Sequence, residues 1–141
     1  IGWGRSIVVK NDSGYRSAFH GTSEAAIAGG IMRVDIREDD SGCDVVWTAP
    51  ERVPAVVGKL STNGLLYFYT FEQQADGDNA WYFLALDFVT GTPVFKQFIG
   101  LGQHFDINWG SPAIATDGTV YLGIIEGILA IADARPGPLG E

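Results

Sequence analysis

Residues 117–133, DGTVYLGIIEGILAIAD, read as a turn, an apolar strand, a second turn and a second apolar strand. Asp117-Gly118 and Glu126-Gly127 supply the turns, because glycine reaches positive φ without a steric penalty. Val120, Tyr121 and Leu122, then Ile128, Leu129 and Ile131, are residues that a pleated, half-buried surface favours. A chain built on this unit is all-β, and the unit recurs.

The middle copy is GLLYF at 64–68 followed by WYFLALD at 81–87; the first is SIVVK at 6–10 followed by GIMRVD at 30–35. Each is an inner strand and a second strand that ends in Asp. The glycines opening the later two copies, Gly64 and Gly118, lie 54 positions apart, near the roughly 40–50-residue period of propeller blades, with long loops absorbing the excess. Further strands follow the first two pairs, DVVWT at 44–48 and PVFKQF at 93–98, and then residues 55–60 and 112–115. With strands lettered A to D, the expectation is A-B-C-D, A-B-C-D and A-B: two full four-stranded antiparallel blades and a half blade. Residues 1–134 belong to this array. Residues 135–141 read as an exit tail, because Pro136 and Pro138 have no N–H to give a ladder.

The segment 85–95, ALDFVTGTPVF, resembles the blade motif A-x-D-x-x-T-G-K-x-x-W of the PQQ-like, quinoprotein-type β-propellers, with Thr92 in the Lys place and Phe95 in the Trp place. Trp47 takes the docking-Trp place of the first unit, after a longer acidic turn. The resemblance implies a partial β-propeller from the C-terminal part of such a protein, in a bacterial-type secreted or periplasmic setting. Its Asp and Thr-Gly are expected to close a tight turn by local hydrogen bonds, and its aromatic to fill the space between blades. PQQ itself is not implied: the quinoprotein alcohol dehydrogenases use a vicinal cysteine pair, and Cys43 is the one cysteine present.

A propeller closes as a ring of four to eight blades, more than this chain supplies. The missing strands and blades are therefore expected from another polypeptide, either the rest of a cleaved precursor or a separate subunit; a chain that opens at Ile1 without Met fits a processed product. The formal net charge of −8 argues against nucleic acid, which needs a basic footprint, and no apolar run is long enough to span a bilayer.

Antiparallel strands alternate direction, so the A–B and C–D loops share one end of the array, and they are the long ones. His20 and His104 both fall there, and His104 with Asp106 offers a metal-holding or acid–base pair. Tyr15, Arg16 and Trp109 at the same end would suit an anionic or sugar-like ligand. Asp76 and Asp78 carry oxygens a calcium ion accepts, although the rest of a twelve-residue calcium loop is missing. No other cofactor is expected. Two functions follow: a structural and interaction segment that completes a ligand- or partner-binding propeller, or one chain of a two-chain enzyme working through His20 and His104.

Overall fold

Hairpin follows hairpin along the chain, because Gly-containing turns recur between segments rich in β-branched and aromatic residues. The computed structural model describes residues 1–11, 29–54, 58–107 and 110–133. Within them the chain is all-β apart from a single 3₁₀ turn at Gln103–Phe105. The first sheet holds β1 (Gly2–Trp3), β2 (Ser6–Asn11), β3 (Gly30–Ile36) and β4 (Cys43–Ala49) in that order. The second holds β5 (Lys59–Leu60), β6 (Leu65–Gln73), β7 (Asn79–Asp87) and β8 (Pro93–Leu101). The third holds β9 (Ala113–Ile114), β10 (Val120–Ile124) and β11 (Gly127–Ile131). All pairings are antiparallel.

The strands group differently from the lettering expected above. The short strands at 59–60 and 113–114 do not end the unit before them. They pair with the strand that follows, Leu60 with Leu66 and Val120 with Ile114. Each sheet therefore begins with a two-residue edge strand, and the third is three-stranded, not a half blade. The reason is local. The turns at residues 61–64 and 115–119 are closed by backbone hydrogen bonds, Ser61 to Leu65 and Ala115 to Thr119, so each short strand folds back on its successor.

The second sheet is the centre of the molecule. One of its faces carries Leu66, Phe68, Leu84 and Leu86, and the other carries Tyr69, Phe71, Trp81 and Phe83; all are at most 3% exposed. Val8, Ile31 and Trp47 from the first sheet and Ile107 and Leu122 from the third region join the same core. The outward faces of the flanking sheets are apolar and open. Ile7, Val9 and Val45 on the first are 38%, 46% and 60% exposed, and Tyr121 and Ile128 on the third are 45% and 76% exposed. Among the described residues no helix is long and apolar enough to cross a membrane.

The outer pairings of the two complete sheets repeat in detail. Arg33 pairs with Trp47 and Val34 with Val45; Ala85 pairs with Phe95 and Leu86 with Pro93. In each case one extra residue, Val46 or Val94, sits in a bulge just before the aromatic. Trp47 and Phe95 therefore hold equivalent places.

Candidate functional site

The turn between β7 and β8 is built by the motif its sequence announces. The Asp87 carboxylate accepts from the backbone N–H groups of Val89 (2.9 Å) and Thr90 (2.8 Å) and from the Thr90 hydroxyl (3.0 Å). These donors, the Thr90 N–H foremost, hold the Asp87 carboxyl below its ordinary range. Gly91 closes the turn with φ 72°, and its N–H donates to the Asp87 carbonyl at 2.8 Å. The Trp47 ring lies against this glycine so closely that a Cβ on residue 91 would stand 2.4 Å from it.

Two more groups fasten the first sheet to that turn. The indole N–H of Trp47 and the guanidinium of Arg33 both donate to the Phe88 carbonyl, each at 3.0 Å. Arg33 also lies over the Phe88 ring at 4.2 Å from its centroid, donates to Ser6 Oγ at 3.1 Å, and forms a two-pronged pair with Asp35 at 2.7 and 2.9 Å. The Arg33 and Ser6 hydrogen bonds keep the Asp35 carboxyl below its usual range. Trp47 is 8% exposed as a result.

Phe95 has no such seat. Among the described residues its ring contacts are with its own sheet, Phe83 at 5.8 Å and Tyr67 at 6.3 Å between centroids, and it stays 41% exposed. Beside it runs a cleft of about 770 Å³ between the second and third sheets, lined by Tyr67, Phe83, Phe95, Ile114, Ile131 and Asp133 among others. Its rim includes residues 61–63 and Gly118, so it opens toward the short-turn end and not toward the long loops.

The long-loop end is assembled around the connection from β8 to β9. Gly102 donates to the Asn79 carbonyl at 2.9 Å, and its own carbonyl accepts from the Trp81 indole at 2.8 Å. The Tyr69 hydroxyl donates to the Phe105 carbonyl at 2.9 Å, and Ile125 N–H donates to the Asp106 carbonyl at 2.9 Å. Three connections are thus tied together. The resulting 3₁₀ turn aims His104 outward and Asp106 inward: the His104 side chain is 65% exposed, whereas Asp106 is 3% exposed. Burial, with the Asp106 charge adding to it, pushes the Tyr69 phenol well above its ordinary range.

The carboxylate beside His104 is that of Glu126, in contact with His104 Nδ1, and not the expected Asp106. Irregular backbone explains the difference, since the period-2 alternation that sorts strand side chains does not extend through a 3₁₀ turn. Glu126 was findable from loop parity, because the β10–β11 turn lies at the same end as the β8–β9 connection. Both members of the pair are solvated, which is the setting of a surface ion pair.

Asp76 and Asp78 belong to the tight turn between β6 and β7, where Asp76 Oδ1 accepts from the Asp78 N–H at 3.1 Å and the Asp78 carbonyl accepts from Gln74 at 2.7 Å. Among the described residues no three His, Cys, Asp or Glu side chains are grouped to hold a metal. Tyr15, Arg16, His20 and Trp109 lie outside the described residues. No protein-family model matches the chain, and no curated protein matches it.

Proposed function

We propose that this chain is a structural and interaction segment of a larger PQQ-like β-propeller, secreted or periplasmic, whose remaining strands and blades come from another polypeptide and which binds a ligand or partner. One observation carries the reading: the aromatic of the first sheet is seated on the Asp87–Gly91 turn of the next, whereas its equivalent in the second sheet, Phe95, faces an open cleft. A repeat that seats one sheet on the next calls for a neighbour at each end, and both flanking sheets carry open apolar surface. Ile7, Val9 and Val45 at one end and Tyr121 and Ile128 at the other have that character. Contiguous exposed apolar surface of this kind is a mark of interaction sites.

The scaffold reading also fits the long-loop end. Among the described residues the acid–base pair there is His104 with Glu126, and both side chains are solvated. The setting rests on the sequence resemblance.

The test is the native mass of the purified particle, with every chain in it identified by denaturing mass spectrometry. A second chain with propeller-like repeats is the expected result. A stable monomer whose terminal faces bind nothing would end the proposal.

A further inference from the structure

We propose that the cavity beside the segment linking β4 to β5 binds a free α-amino acid, with its ammonium on the Glu51 carboxylate and its carboxylate on the Arg52 guanidinium and the Lys96 ammonium. The inference goes beyond the reading above and is independent of a second polypeptide, because every residue it uses belongs to this chain.

The cavity has a volume of about 490 Å³, within the roughly 300–1,000 Å³ of small-molecule sites. Glu51 and Arg52 line one side of it, and Thr70, Glu72 and Gln73 at the end of β6 line another. Lys96 of β8 joins them through its ion pair with Glu72 at 2.6 Å. The segment carrying Glu51 and Arg52 is held in place. Arg52 forms an antiparallel bridge with Phe71, and its carbonyl accepts from the Phe71 N–H at 3.2 Å and from the Thr70 hydroxyl at 2.5 Å. Val53, the next residue, is fully buried. The charged groups therefore stand on backbone that is already positioned.

Charge pairing within the cavity is uneven. Glu72 and Lys96 neutralise each other, and that pair uses one of the three Lys96 donors. Glu51 and Arg52 are neighbours in sequence and opposite in charge, yet among the described residues neither side chain makes an ion pair or a hydrogen bond. Glu51 Oε2 is moreover buried without a partner, which costs free energy until a donor or cation compensates it.

An anion and a cation left unpaired in one cavity call for a ligand that carries both charges. A simple amine would leave Arg52 unmet, and a simple anion would leave Glu51 unmet. A metal ion fits poorly, because among the described residues no three His, Cys, Asp or Glu side chains are grouped to hold one. A free α-amino acid presents an ammonium and a carboxylate on the same carbon, so one small molecule meets both. In a peptide the two termini lie too far apart to do so. Gln73 adds an amide to the wall for the polar groups that remain.

The test is calorimetric titration of the purified chain with each of the twenty common amino acids. Saturable binding of at least one is the expected result. N-acetylation of that amino acid, which removes the ammonium, and amidation, which removes the carboxylate, should each weaken it about tenfold. Glu51→Gln should weaken the free amino acid by a similar factor and leave the N-acetyl form unchanged. Arg52→Gln should do the same for the free amino acid and leave the amide unchanged. Both variants should keep the native circular dichroism, because Thr70 and Phe71 bond to the backbone of residue 52 and not to its side chain. Binding of none of the twenty overturns the inference, as does binding that N-acetylation and Glu51→Gln leave unchanged. Should a variant fail to fold, the acetylated and amidated ligands on the unaltered protein still decide the question. A monomeric native mass would end the reading above and leave this one standing.

Discussion

Trp47 and Phe95 occupy the same position in successive sheets, yet one is 8% exposed and the other 41%. Ring chemistry does not account for the difference. It comes from what the next sheet offers: a glycine turn and a carbonyl for Trp47, an open cleft for Phe95. An aromatic of this kind is a connector whose contribution is realised only when the neighbouring sheet is complete.

The sharpest way to break the comparison is to remove each ring in turn. Trp47→Ala should destabilise the chain by roughly 3–5 kcal/mol, the range for deleting a buried aromatic. Phe95→Ala should cost only about 1 kcal/mol, the worth of its ring contacts. Urea unfolding followed by circular dichroism measures both, and equal losses would refute the inequivalence. Next in size is Gly91→Val, which puts a β-branched residue at φ 72° and a Cβ against Trp47. A loss above roughly 2 kcal/mol is expected. Gly118→Ala, also at positive φ but with open space around its Cβ, should lose only about 1 kcal/mol by the same measurement.

A third test uses pH. The carboxyls of Asp35 and Asp87, one on each side of the seated interface, titrate below their ordinary range. Their stabilisation is therefore complete above the unfolded carboxylate pKa of about 3.9 and fades as pH falls through the lower folded values. Melting temperature should drop on acidification across that window, and Asp35→Asn should flatten the drop; an unchanged acid profile in that variant would remove the Arg33 pair from the account. The smallest effect is expected at the long-loop end. His104→Ala breaks a solvated pair and should change stability by less than about 0.5 kcal/mol. A larger loss in the same unfolding assay would mean that His104 supports the loop assembly.

Much of this architecture is legible in the sequence, and the reasons are local. Gly-containing turns marked the hairpins, and Asp87 with Thr90 and Gly91 makes the hydrogen bonds those residue types predict. Trp47 fills the space between two sheets, as an aromatic at that position should. What escaped was grouping. Lys59–Leu60 and Ala113–Ile114 are two residues long, too short for a period to show which neighbour they join, and the hydrogen-bonded turns that follow them decide it. At the long-loop end, loop parity found His104, but the inward turn of Asp106 and the approach of Glu126 depend on a 3₁₀ turn held by Tyr69 and Trp81, residues far from it in sequence.

Among the described residues the six sheet edges are not alike. Those of β1, β5 and β9 are only two residues long, and those of β4 and β8 are interrupted by bulges. β11 has neither protection: its five residues, GILAI, are uncharged and regularly paired on their inner side. Concentrated in isolation, the chain should therefore precipitate through that single strand, and a lysine in place of Ile128 would act as a gatekeeper that keeps it in solution.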